Sequence, residues 1–300
     1  MPVPLHSIFI RLKRPQYITI LAGLVLTAGI YFFFRITPKT SAAVPTGQHG
    51  PGDGHNHDAE SSAVTIDTIL ILAKKQLNPD QVVRLNTLEN SISRGNVNEQ
   101  QLHVYHQLAR FWADSAHIFE PYAWYMAEAA RLENSEKNLT FAAQLFLNNL
   151  QNDETEQRRR WKALQAKDLF ERSLIINPAN DSAKIGLGAC YLFGNFSDAP
   201  MQGIAKILEV VDRDSTNVYG QMTLAKGSLI SGQYEKAVSR LETVNRLKPR
   251  DIDVLLLLAD TNERLGRKPE AIAWYAQCLQ AAKEPELKNA IIKRVAELKN

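Results

Sequence analysis

The sequence predicts an all-α chain of paired helices stacked in series. One pattern is written twice from about Tyr219 to about Lys283, with Ala225, Gly232 and Ala237 recurring as Ala259, Gly266 and Ala271. The shift is about 34 residues, the length of one helix–turn–helix unit. Leu224, Leu241 and Val244 find Leu258, Tyr275 and Cys278 at the same offset. No useful stretch alternates with the period of two that a half-buried strand requires. A last amphipathic stretch opens at Pro285 and carries Leu287, Ile291, Ile292, Val295 and Leu298. It covers the apolar face that a terminal unit would otherwise leave in water.

The physics of one unit is readable. Leu224, Ala225 and Ser228 share one face of a first helix, which Gly232 ends because a residue able to take positive φ is wanted there. Ala237, Leu241 and Val244 line one face of a second helix at i, i+4 and i+7, Ala237 being small where the two helices cross. Pro249 stops the second helix and Asp251 caps the next. This register resembles the tetratricopeptide repeat (TPR), well over about Glu136 to Lys283 and weakly over Asn98 to Ser135. The resemblance implies a right-handed α-α superhelix of TPR helix pairs with divergent N-terminal helices, which the uncharged N-terminal stretch precedes with one expected transmembrane helix.

Composition bounds the rest. The chain has 300 residues, a net charge of +3 and 45% hydrophobic residues, enough for a core and nothing that points to nucleic acid. Cys190 and Cys278 read as small core residues in separate units, too far apart to bridge. Tyr17 to Phe34 holds no charged residue, and 18 helical residues reach roughly 27 Å, just enough to cross a hydrocarbon core. Arg11, Lys13 and Arg14 before it favour a cytoplasmic N-terminus. The competing reading is a cleaved signal peptide ending near Ser41-Ala42-Ala43, although its apolar region would be shorter. The expected divisions are a basic tail (1–15), the span (16–36), a His-rich linker (37–63), divergent helices with one degenerate repeat (64–134), the repeat array (135–284) and the closing helix (285–300).

Taken in order, Val64 to Leu77 reads as a helix with Ile66, Ile69, Leu70 and Ala73 on one side. Asn78 caps the next, with Pro79 at its first position. That helix carries Val82, Val83, Leu85, Leu88 and Ile92 and ends at Arg94-Gly95. A third carries Leu102, Tyr105, Leu108, Phe111 and Trp112, and a fourth Ala123, Ala127 and Ala130. The unit from Glu136 has Phe141, Ala142, Leu145 and Phe146 on its first helix and Ala166, Phe170 and Ser173 on its second. An insertion at about Asn152 to Arg160 lies between these helices or extends them, and its Arg158-Arg159-Arg160 run reads as a solvated face. The unit from Asp181 has Leu187, Gly188 and Tyr191, then Gly203, Ile207 and Val210, with about three extra residues within Gly194 to Pro200.

Catalytic motifs are missing: there is no nucleotide loop, Cys-x-x-Cys, His-Glu-x-x-His or nucleophile elbow. His49, His55 and His57 on the linker are weak candidates for a metal, against the plainer reading of a solvated tether. His103 and His106, and His117, read as ordinary helix polar residues. No cofactor is expected.

Repeat arrays bind through the face lined by first helices. The register places Ser182, Ile185, Ala189 and Leu192 there in one unit, Tyr219, Met222, Lys226 and Leu229 in the next, and Asp253, Leu256, Asp260 and Glu263 in the last. The groove would pass from apolar to acidic and suit an extended peptide or helix with an apolar stretch and a basic end. The carboxylate clamp of chaperone-binding TPR proteins is absent, its positions holding Ile185, Ala189, Thr223, Asp253 and Leu257. The whole layout resembles membrane-anchored TPR proteins of Bacteroidota-type diderm bacteria. That resemblance implies a non-catalytic scaffold in the inner membrane, its repeats in the periplasm, binding a protein or peptide partner. The alternatives are an assembly helper for exported proteins, similar to TPR subunits of cytochrome c maturation or the translocon, and metal handling through the linker.

Overall fold

The computed structural model describes residues 64–91, 97–150, 155–194 and 200–299. The expected span and linker, Ile92, Arg94-Gly95, residues 152–154 and residues 195–199 of the lengthened turn lie outside the described residues. Among those described are thirteen α-helices, one π-helical turn and no strand. None of these helices is long and apolar enough to cross a membrane.

The helices are α1 (Ile66–Lys74), α2 (Pro79–Asn90), α3 (Val97–Arg110), a π-turn (Phe111–Ser115), α4 (Phe119–Glu133), α5 (Glu136–Asn148), α6 (Glu156–Ile176) and α7 (Asp181–Phe193). They continue with α8 (Pro200–Val211), α9 (Val218–Ile230), α10 (Tyr234–Leu247), α11 (Ile252–Arg264), α12 (Lys268–Ala281) and α13 (Pro285–Lys299). Packing is pairwise: α3 on α4, α5 on α6, α7 on α8, α9 on α10 and α11 on α12. The second helix of one pair packs on the first of the next, as α6 on α7 and α10 on α11, and α13 packs on α12. The first helices α5, α7 and α9 also touch in sequence. The described residues thus form an all-α, TPR-like helical repeat.

Local chemistry sets this register. Asn180, Asn217 and Asp251 each cap a first helix, accepting from the backbone N–H of Ala183, Gly220 and Val254 at 2.9, 2.9 and 3.3 Å. Gly232 and Gly266 have φ of 71° and 72°, the left-handed conformation that closes a helix without a Cβ penalty. Both turns close alike, Gln233 N–H donating to Ser228 O at 2.8 Å and Arg267 N–H to Asn262 O at 2.9 Å. Ala237 and Ala271 are fully buried. Ala237→Leu is therefore expected to destabilise by about 2 kcal/mol through overpacking; thermal unfolding of the variant beside the parent checks this.

The helices before α6 depart from expectation in three places. Asn78 and Gln81 form the capping box of α2, and Leu85 is buried, but Val82 and Val83 are exposed. α2 meets the core cluster through Leu85 and Leu88, and an apolar residue off that face stays wet. The third helix does not run on through Trp112. It widens into the π-turn, where Ala116 N–H donates to Phe111 O at 3.1 Å. Adjacent residues of a regular α-helix point about 100° apart; the wider turn lets Phe111 and Trp112 both enter the core. Phe141, expected in the core, is half exposed, because α5 presents Leu139, Ala142, Ala143 and Phe146 to the main cluster instead. From Glu156 the insertion lengthens α6 at its N-terminus. Cys190 and Cys278 are free and buried.

Candidate partner-binding recess

The first helices α5, α7 and α9 share one face, and that face holds a recess of about 170 Å³. Leu147, Asn148 and Leu150 come from the end of α5 and beyond it, Ala189 and Phe193 from α7, and Tyr219, Met222, Thr223 and Lys226 from α9. Small-molecule pockets span about 300–1,000 Å³, so this volume suits one or two side chains of a peptide. Its walls are mostly apolar. Asn148 and Lys226 are exposed at its edge.

Tyr219 does more than line a wall. Its hydroxyl accepts from Gln144 Nε2 at 3.0 Å, tying α9 to α5. Its ring packs against the buried cluster of Ile185, Ile207, Val210, Val211 and Leu224. Burial pushes its phenol up to about 12, with the Gln144 hydrogen bond acting the other way. The Thr223 hydroxyl donates to Tyr219 O at 2.7 Å and is thereby occupied within the helix. Met222 is half buried against the cluster of Ala225, Leu241 and Leu258. Tyr219 and Met222, which the register places on the first-helix face, sit at the boundary between core and recess.

Other expected groove residues scatter. Ile185 is completely buried, since α8 closes over it, and cannot line an open groove. Ala189 is buried at the floor of the recess. Ser182 is exposed and Leu229 half buried. Leu192 turns to the other side of α7, toward α8 and Gly227. Leu256 packs on the cluster that α13 completes through Ile291.

The acidic end is partly consumed within the chain. Asp260 accepts from Arg264 Nε at 2.8 Å. Glu263 accepts from Tyr275 Oη at 2.6 Å and is held by Arg294 of α13. Burial pushes the Glu263 carboxyl up, but hydrogen bonds from Arg294 and Tyr275 outweigh it and hold the group below the usual carboxylate range. Asp253 is exposed at the helix start, and the Asp260 side chain is half exposed in its pair with Arg264. Of the three, Glu263 is the one taken up within the chain.

The sequence reading missed Leu147, Asn148, Leu150 and Phe193. The signal was present: carrying the register back one unit to α5 places Gln144 and Leu147 on the same face as Ala189 and Tyr219. Among the described residues no cluster of three or more His, Cys, Asp or Glu is placed to hold a metal. His106 Nε2 lies 3.1 Å from Glu133 Oε1, and His103 Nε2 lies 2.9 Å from Gln107. His49, His55 and His57 fall outside the described residues. The buried Cys190 thiol is pushed well up by desolvation, which suits packing and not nucleophilic chemistry.

The deciding observation is a sequence match laid over these helices. Residues 228–291 match the tetratricopeptide repeat family model. The matched stretch begins near the end of α9, runs through α10, α11 and α12 and ends within α13, so it takes in the second of the two duplicated units and the first half of the closing helix. Three solved structures illustrate what the chain is similar to. A TPR protein from Parabacteroides merdae ATCC 43184 is 14% identical, covering 76% of this chain and 87% of its own, at a TM-score of 0.49. PilW, a type IV pilus biogenesis factor, is 16% identical, covering 74% and 96%, at 0.47. MamA from Desulfovibrio magneticus RS-1 is 18% identical, covering 61% and 96%, at 0.44. Comparison with curated protein sequences finds none that matches. TPR units bind protein or peptide partners.

Proposed function

We propose that the chain is a non-catalytic TPR interaction module that captures a protein partner by seating an apolar side chain in the recess between α5, α7 and α9. The observation that carries this is the recess itself. It sits on the first-helix face, is walled by Leu147, Ala189, Phe193 and Met222, and keeps Lys226 and Asn148 at its edge. An apolar anchor beside a carboxylate or backbone carbonyl fits that arrangement. The uncharged stretch Tyr17 to Phe34 supports a membrane anchor with the repeats presented in the periplasm. At α11 the partner meets Asp253 and the half-exposed Asp260, while Glu263 is held by Arg294.

Asn148 and Lys226 are exposed and touch no core cluster, so they test binding without touching folding. Asn148→Trp with Lys226→Glu is expected to leave helicity and melting unchanged and to weaken partner capture about tenfold, or 1.4 kcal/mol. Pull-down from solubilised membranes with quantitative mass spectrometry reads the loss. Unchanged capture by this double variant would reject the recess as the binding site.

A further inference from the structure

A second groove lies on the side where the second helices face outward. α8 and α10 form its walls and α9 its floor. Two recesses of about 310 and 330 Å³ meet there, sharing Lys236 and Arg240. The α8 wall is apolar: Met201 is 75% exposed, and Ile204 and Leu208 line the same side. The α10 wall is cationic. Lys236 Nζ donates to Gln233 Oε1 at 2.7 Å and Arg240 Nη1 to Gln221 Oε1 at 3.0 Å. Among the described residues neither cation has a carboxylate within ion-pair distance. Most other arginines bordering the repeats do have one, as Arg131, Arg172, Arg213, Arg264 and Arg294 show. Arg240 is also half-buried. Burial pulls its guanidinium below the ordinary value, with Asp212 acting the other way. A guanidinium has five N–H donors, and a neutral amide uses few of them.

We propose that this groove docks an acidic amphipathic helix of a protein partner, its apolar side chains on Met201, Ile204 and Leu208 and its carboxylates on Lys236 and Arg240. Charge complementarity selects the occupant. Lys236 and Arg240 stand one helical turn apart, a spacing met by two carboxylates four residues apart on a helix. Each would turn a neutral hydrogen bond into a charge-assisted one, about twice as strong. A free phosphate would answer the cations and leave the α8 wall in water. The groove is separate from the recess between α5, α7 and α9, and does not depend on it.

The probe is a labelled helical peptide with a leucine stripe and glutamates four residues apart beside it. Two sister peptides replace the glutamates by lysine or the leucines by serine. Fluorescence anisotropy with the full chain in nonionic detergent is expected to show binding of the glutamate peptide alone, weakening with salt. Lys236→Glu with Arg240→Gln, and separately Met201→Ser, should each weaken it about tenfold, with circular dichroism unchanged. Lys226→Glu should leave it unchanged, which separates this groove from the recess. No binding of the glutamate peptide, equal binding of the lysine sister, or capture of phosphatidylglycerol vesicles without the peptide overturns the proposal.

Discussion

Gly203→Val is expected to destabilise the protein by about 3 kcal/mol, lowering the melting temperature by about 6–12 °C. A Cβ on Gly203 would lie 2.5 Å from the Gly188 carbonyl oxygen and 2.9 Å from Tyr191 Cβ. A Cβ on Gly188 would lie 2.7 Å from the Gly203 carbonyl oxygen. The backbones of α7 and α8 therefore touch at this crossing, and no rotamer change relieves a clash with backbone. Replacing a helix-interior glycine normally gains up to about 1 kcal/mol for alanine, so even Gly203→Ala should lose overall. Gly227 is the control. Its added Cβ would meet only the flexible end of Leu192, at 3.3 Å, and Gly227→Ala should be near neutral. Differential scanning calorimetry on the two variants decides it; equal melting of both would mean the crossing is looser than described.

The second large effect is at Lys162. This side chain is 1% exposed. Its ammonium donates to Asn149 Oδ1 at 2.5 Å, pairs with Glu120 Oε1 at 3.0 Å and lies over the Phe119 ring at 4.9 Å. Lys162→Met keeps the stem but leaves Glu120, itself 14% exposed, without its nearest cation. Breaking a buried pair costs about 3–5 kcal/mol. Arg158, 3.9 Å from the same oxygen, reduces that, so about 2–3 kcal/mol is expected here. Lys162→Met with Glu120→Gln should recover most of the loss, because no charge is then stranded. A double-mutant cycle from urea unfolding gives the coupling. A single variant as stable as the parent would show that water already reaches the pair.

These two sites show what a sequence can and cannot disclose. The turns at Gly232 and Gly266, the cap at Asp251 and the buried Ala237 and Ala271 were legible because each is a local requirement of a repeated unit. Lys162 was not legible. It follows Arg158-Arg159-Arg160, and a run of cations reads as a solvated face until Glu120, far off in the chain, is seen beside it. The π-turn was hidden for a related reason: Phe111 and Trp112 both look apolar, and nothing local says that both are wanted inside. At the recess, the register found Ala189, Tyr219, Met222 and Lys226. It missed that Tyr219 reaches Gln144 two first helices away, that Ile185 is sealed by α8, and that Arg294 of the closing helix takes Glu263. Periodicity reports the faces of one helix; it does not report which distant helix covers them.

The central claim is that a protein partner sits on the first-helix face at the recess. A photoactivatable crosslinking residue placed at Lys226, with Asn289 on α13 as the control position, tests it in intact cells. A discrete adduct from position 226, lost when Asn148→Trp is added and never seen from position 289, is the predicted result. Adducts of equal yield from both positions, or none from position 226 while the chain remains folded, would contradict it.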